Sequence, residues 1–224
     1  MQAYVPFFQK VQLKTKESKM SLLSASPGFV RRVTSLFLFP LMISGISRAD
    51  DKHPVVFDFD APKEAQRWRP VNDGVMGGRS EGAFRVSPDG ILKFYGNLSL
   101  ENRGGFASVR SRTTELELPQ AEALLIRVRG DGRSYYCNLY VPSKRIAYSY
   151  RAKIDTKAGR WQEVRLPLTS FRATWFGRTL PDAPKIDAKN VRALGFMIAD
   201  KKAGPFKLEV DWIRAAGKAA SEPS

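Results

Sequence analysis

From Pro54 onward, apolar and polar residues alternate along one short segment after another. Leu124, Ile126 and Val128 alternate with Leu125, Arg127 and Arg129. Ile146, Tyr148 and Tyr150 alternate with Ala147, Ser149 and Arg151, and Phe206, Leu208, Val210 and Trp212 with Lys207, Glu209 and Asp211. A period of two sends successive side chains to opposite faces, so each segment is predicted to be a half-buried strand with one wet face. The same reading places strands at 55–59, 82–87, 91–98, 106–113, 135–141, 161–166 and 191–199. Turn chemistry separates them: Pro88-Asp89-Gly90, Arg103-Gly104-Gly105, Gly130-Asp131-Gly132, Lys157-Ala158-Gly159 and Ala203-Gly204-Pro205. About ten short strands with almost no helical periodicity predict an all-β jelly-roll β-sandwich. One turn of helix is expected at 168–171. The stretch 171–190, with Pro181 and Pro184, is expected to be the longest irregular segment. No internal repeat is visible.

The N-terminal pattern is different. Arg31-Arg32 precede the apolar run Leu36-Phe37-Leu38-Phe39-Pro40-Leu41-Met42-Ile43, which Ser47-Arg48-Ala49 follow. A positive flank, a short apolar core and small residues at the cleavage positions predict a secretory signal peptide over 1–49, with Met20 as an alternative start. The run is too short for a stable anchor, so no transmembrane anchor is expected after cleavage. The folded domain is then 50–216 and exported, periplasmic or extracellular, with a disordered tail at 217–224. The alternative is a mitochondrial transit peptide, since the segment is rich in Ser and poor in acids. Transit peptides are amphipathic, however, and eight successive apolar residues leave no polar face.

Composition narrows the picture further. The chain has 224 residues and is 43% hydrophobic, enough for one domain with a sizeable core. The formal charge of +15 overstates the folded part. Residues 1–49 hold seven of the 37 basic residues and one of the 22 acidic ones, leaving 30 against 21. The basic residues are scattered over alternate strand faces, so nucleic acid is not an expected partner. Cys137 is the single cysteine, which excludes an intrachain disulfide. It shares its alternation with Tyr135 and Leu139 and is expected as a buried, inert thiol.

The sole histidine, His53, sits four residues after the proposed cleavage site and is expected as a frayed terminal residue, so neither an imidazole triad nor a His-based metal site is expected. No phosphate-cradling glycine loop precedes a helix. Asp73, Glu81, Asp131 and Asp211 could supply a glycosidase-like carboxylate pair, but sequence gives them no spacing. Arg129-Gly130-Asp131 matches a cell-adhesion tripeptide, which a strand end running into a turn explains more simply. The chain is therefore expected to be non-catalytic, with no cofactor and no metal.

Two glycine-rich blocks carry the strongest signal. One runs from Trp68 through Asn72-Asp73-Gly74-Val75-Met76-Gly77-Gly78 to Ser80, the other from Asn97 through Asn102-Arg103-Gly104-Gly105 to Arg110. Such residues either make tight corners or form a ligand-facing edge. In the second reading Trp68 and Met76 supply apolar contact, and Asn72, Asp73, Asn102 and Arg110 supply polarity. Arg110 shares a strand face with Phe106 and Ser108, so it must be paired with a carboxylate or open to a groove.

These blocks resemble the complex I intermediate-associated protein family. The resemblance extends from Phe57-Asp58-Phe59 to Asp211-Trp212-Ile213. It includes Arg129-Gly130-Asp131-Gly132-Arg133-Ser134-Tyr135, the run from Trp161 to Leu168, Phe176-Gly177-Arg178, and Gly195-Phe196-Met197-Ile198-Ala199-Asp200-Lys201. It implies a galactose-binding-type jelly roll and an assembly-factor or binding role. Asp131, Arg133 and Arg178 join the candidate binding residues on its strength. The family's mitochondrial members help assemble respiratory NADH dehydrogenase in the matrix, whereas the N-terminal pattern predicts export.

Two functions follow. One is a protein-binding, chaperone-like module whose partner is an assembly client. The other is an exported carbohydrate-binding module, for which Trp68, Tyr136, Tyr140 and Trp175 are candidate stacking platforms. Trp175, in a loop, is the candidate among them least expected to be core.

Overall fold

The computed structural model describes residues 53–112, 116, 118, 120–142 and 148–217. The proposed leader at 1–49 and the tail from 218 lie outside the described residues, as does Ile146. Among the described residues, thirteen strands are present: β1 (Val55–Phe57), β2 (Trp68–Asn72), β3 (Glu81–Ser87), β4 (Ile91–Leu98), β5 (Ala107–Ser111), β6 (Ala123–Gly130), β7 (Ser134–Tyr140), β8 (Ser149–Asp155), β9 (Trp161–Pro167), β10 (Arg172–Trp175), β11 (Arg178–Thr179), β12 (Ala193–Ile198) and β13 (Gly204–Ala216). They form two sheets. Sheet A runs β3-β4-β13-β6-β9, with β1 also pairing β13, and sheet B runs β11-β10-β8-β7-β12-β5-β2. Every ladder between these strands is antiparallel.

The core lies between the sheets. Sheet A contributes Leu92, Phe94, Leu124, Ile126, Val128, Leu208 and Val210, and sheet B contributes Val109, Tyr135, Cys137, Leu139, Ile154, Leu194, Phe196 and Ile198. Among them, Leu124, Ile126, Val128, Tyr135, Cys137, Leu139, Leu208 and Val210 are alternate positions of the sequence pattern. Cys137 is fully buried, and burial pushes its thiol pKa far up, so the inert reading stands. Asp211 is a bulge in β13, where the register with β6 slips between Val210 and Trp212. Downstream of it the inward positions become Ile213 and Ala215.

Three strands go beyond the sequence expectation. β2 falls inside the first glycine-rich block and carries Pro70, which is tolerated because β2 is the edge of sheet B. β10 and β11 form a hairpin within the stretch expected to be irregular. The helical turn at Leu168–Ser170 is present as a 3-10 turn.

Candidate functional site

The two glycine-rich blocks meet around one buried carboxylate. Asp73 accepts hydrogen bonds from the Ser80 N–H (2.9 Å), the Ser80 hydroxyl (2.6 Å), the Gly105 N–H (2.7 Å) and the Phe106 N–H (3.3 Å). Burial raises its pKa, but these four donors outweigh it and hold the carboxyl below its ordinary value. The glycines are there to let the chain close on it. A Cβ at Gly78 would lie 2.4 Å from Asp73 Cγ, and one at Gly104 would lie 2.6 Å from Asp73 Oδ2. Asn72 donates to the Gly82 carbonyl at 2.9 Å and so ties β2 to β3 in the other sheet. Trp68 is 2% exposed, packed at 4.9 Å from Phe57 and 5.6 Å from Phe59.

The structure thus places Trp68 and Asp73 in the interior and Asn72 between β2 and β3. The Trp68 ring, the Asn72 amide N–H and the Asp73 carboxylate are engaged inside the protein, while Trp68 Nε1 and Asn72 Oδ1 are buried without a hydrogen-bond partner. Asn102 stands at φ 54 in the turn next to this knot, and Met76 is 46% exposed on the adjoining turn.

The block around Asp131 is likewise internal. The Tyr135 hydroxyl donates to its carboxylate at 3.0 Å, and the backbone N–H of Arg133 and of Lys207 donate at 3.0 and 2.8 Å. Arg133 makes a two-pronged contact with Asp200, at 3.0 and 2.7 Å, and also reaches the carbonyls of Lys202, Gly204 and Pro205. It pins the β12–β13 connection to the β6–β7 turn. Asp131 and Arg133 thus tie together the β6–β7 turn and the β12–β13 connection. Asp211 pairs with Arg127 at 3.0 Å. Asp73, Asp131 and Asp211 each have separate internal partners and do not form an open carboxylate pair.

The outer face of sheet B is built differently. Strand register aligns Arg69, Arg110, Gly195, Asn138, Arg151 and Arg172 in one row across six strands. The neighbouring row on one side is Val71, Ser108, Met197, Tyr136 and Lys153, and Tyr140 lies in the row on the other. Their alternate neighbours Val109, Cys137, Leu139, Ala152 and Phe196 fill the core, which turns this set away from sheet A.

Two arginines lie on two tyrosines here. The Arg110 guanidinium is 3.7 Å from the centre of the Tyr140 ring, and that of Arg151 is 4.8 Å from the Tyr136 ring. Arg110 is on β5 and Tyr140 on β7, so its side chain must cross β12. It does so where β12 has Gly195, directly opposite Arg110 in the ladder. Between the two stacks lies Asn138, which accepts from Arg151 Nε at 3.3 Å and donates to the Tyr140 hydroxyl at 3.3 Å. Arg151 also approaches the Met197 sulfur at 3.2 Å. Burial pulls the pKa of Arg151 below the ordinary guanidinium value, with Tyr136 and Tyr140 acting in the opposite direction.

Among the described residues, none of Arg69, Arg110, Arg151 and Arg172 has a carboxylate within ion-pair distance. Arg110 Nε is buried without a hydrogen-bond partner. The outer face of sheet A is the contrast. There Glu209 meets Arg129 at 2.6 Å, Lys207 at 3.1 Å and Lys93 at 4.0 Å. Sheet B also carries an ion pair, Lys153 with Asp155 at 2.7 Å, but the arginines of its central row lie unmatched, two of them over aromatic rings. Such Arg, Tyr, Asn and Met surfaces are typical of binding faces.

At the edge of the same sheet, Phe176 and Gly177 join β10 to β11 as a two-residue turn, with φ of 43° and 77°. Two positive φ values are what a type I′ hairpin turn requires, and a side chain as large as Phe is strained there. Phe176 is 72% exposed and packs edge-on against Trp175 at 5.0 Å. Arg178 is exposed beside them.

Of the sequence-predicted site residues, the structure thus places Arg110 on the unmatched face and Trp175 and Arg178 at its edge. Arg151, Asn138, Met197 and Gly195 were not singled out, because alternation does not say which outward face lacks ionic partners. Tyr136 and Tyr140, named as stacking platforms, are on this face.

The family model described as Complex I intermediate-associated protein 30 matches residues 57–210. The chain belongs to this family. The Complex I intermediate-associated protein 30 of Drosophila melanogaster, described as mitochondrial, is 31% identical over 181 residues, covering 71% of this chain and 61% of the relative. Its counterpart from Mus musculus, also described as mitochondrial, is 30% identical, covering 71% and 55%. The chain spans just over half the length of the curated relatives it matches.

Among solved structures, the family 11 carbohydrate-binding module of a Clostridium thermocellum cellulosomal cellulase superposes with a TM-score of 0.56 at 13% identity, covering 75% of this chain and 98% of the module. The same module in complex with a β-1,3-1,4-mixed-linked tetrasaccharide gives 0.53 at 15% identity, covering 74% and 95%. At these identities the likeness is one of fold. It agrees with the galactose-binding-like sandwich that the family resemblance implies. Among the described residues, no helix is long and apolar enough to cross a membrane, and no group of three or more His, Cys, Asp or Glu side chains could hold a metal ion.

Proposed function

We propose that this protein is a protein-binding module that takes part in the assembly of respiratory complex I, with the outer face of sheet B as the surface that holds the client. The observation that carries this reading is the pairing of family membership over residues 57–210 with a half-buried face of unmatched arginines on tyrosines. The relatives' mitochondrial descriptions favour a mitochondrial location over the export that the leader pattern predicts. Export has no support among them. The carbohydrate-binding alternative has less in its favour. Sugars stack on open aromatic faces, and both tyrosine rings here carry an arginine.

The test uses cells in which the endogenous gene is silenced. Native gels of their mitochondria are expected to show loss of mature complex I and accumulation of a smaller assembly intermediate, both reversed by the full chain. A normal complex I profile in silenced cells, or the tagged chain found only outside the cell, would overturn the reading.

A further inference from the structure

We infer that the client segment held by this face is an extended acidic peptide with carboxylates four residues apart, lying along β7. The inference deepens the assembly reading and rests on it. It starts from where the two guanidinium groups come to lie. Arg110 belongs to β5 and Arg151 to β8, on opposite sides of β7, yet both lean over β7. Arg110 covers Tyr140 and Arg151 covers Tyr136.

Tyr136 and Tyr140 are four residues apart on one strand, so the two cationic positions are separated by about 13 Å at a strand's rise per residue. An extended peptide repeats the same rise. Its residues i and i+4 share a face and span the same distance of about 13 Å. A helix would need about nine residues for that span, and its i and i+9 side chains would point in different directions.

The chemistry of the two positions agrees. A guanidinium over a ring can still offer N–H groups at its edge, and these match a carboxylate. Arg151 spends Nε on Asn138 and Nη2 on the Met197 sulfur, which leaves its Nη1 group for a ligand. Stacking also fixes the side chain in advance, which lowers the ordering cost on binding. Asn138, midway between them, is buried and already engaged with Arg151 and the Tyr140 hydroxyl. It therefore holds the pair in place. Gly195 leaves the path between β5 and β7 open, and the described residues aligned with it in the central row include no acidic side chain. Asp155, two rows away on β8, pairs with Lys153 at 2.7 Å, and Arg110 and Arg151 have no carboxylate of their own within ion-pair distance among the described residues.

The experiment is fluorescence anisotropy of the full chain with three labelled nine-residue peptides of β-forming sequence, differing only in acidic positions. One has Glu at positions 3 and 7, one at 3 and 5, and one Gln at 3 and 7. The 3/7 peptide is expected to bind about tenfold tighter than either other, with affinity falling as salt is raised. Arg110→Gln and Arg151→Gln should each remove the preference, while Arg172→Gln, exposed at the far end of the row, should keep it. Arg110→Lys retains the charge without the fork and should lose most of the preference, which covers the case of a misfolded Gln variant.

Equal affinity for the 3/7 and 3/5 peptides would overturn the inference. So would a preference that survives both arginine substitutions, or saturable binding of a mixed-linked glucose tetrasaccharide that the Arg110 substitution abolishes. If the chain restores complex I in silenced cells yet shows no peptide preference, the assembly role stands and the acidic segment falls.

Discussion

At the scale of single residues, Asp73 and Arg110 show how similar sequence signals divide into structure and function. Asp73 sits in an Asn-Asp-Gly sequence that could have faced a ligand. It instead receives four internal donors. Replacing it by Asn should cost about 2 kcal/mol, the scale of hydrogen bonds to a charged acceptor, measurable by urea unfolding. Its folded pKa is lower than its unfolded value near 3.8, so the folded state binds fewer protons in acid. The stabilisation is therefore complete above the unfolded pKa and is lost as pH falls through the lower folded one. The stability gap between wild type and Asp73→Asn should be full above about pH 5 and should narrow steadily as pH falls below the unfolded value near 3.8. Parallel curves across that range would contradict the assignment.

Phe176 gives the opposite expectation. Its positive φ strains a bulky side chain at an exposed turn. Phe176→Asn should raise the melting temperature, by up to about 1 kcal/mol of stability, because Asn suits a type I′ turn. A lower melting temperature would mean that the Phe176–Trp175 contact outweighs the strain.

At the scale of elements, alternation was a sound guide to which strands exist and a poor one to what their outer faces do. The strand expected at 91–98 matches β4, and the glycines of the five turn sequences at 90, 105, 132, 159 and 204 all have positive φ. β2 was missed because Pro70 and the adjoining glycine-rich block read as a corner. β10 was missed because four residues are too few to show a period. The outer rows of sheets A and B look alike in sequence, each mixing Arg with aromatics. Only the ladder register reveals that Glu209 and Asp211 neutralise the arginines of one, whereas on the other the one acid among these outward positions, Asp155 on β8, pairs with Lys153 and leaves the central row of arginines unmatched. The pin at Arg133 belongs to this scale too. Arg133→Ala would leave the Asp200 carboxylate, 7% exposed, without its partner and should destabilise the fold by about 3 kcal/mol. A melting curve unchanged from wild type would rule out that role.

At the scale of the whole molecule, the two sheets divide the work. Their shared core and the knots at Asp73 and Arg133 specify the sandwich, and family membership accompanies that fold. In the proposed reading, the outer face of sheet B is the surface that recognises a client. Substitutions there should affect assembly far more than stability, because Arg110 and Arg151 pack on ring surfaces outside the core.

The most direct measurement combines charge reversal with both readouts. A chain carrying Arg110→Glu and Arg151→Glu is expressed in silenced cells beside wild type and beside Arg85→Glu on the face of sheet A, and each purified protein is melted. We expect the double variant to melt within about 4 °C of wild type, a shift of roughly 1 kcal/mol or less, and to leave the complex I intermediate unresolved on native gels. Arg85→Glu should restore the mature complex. Full restoration by the folded double variant would contradict a client surface on sheet B.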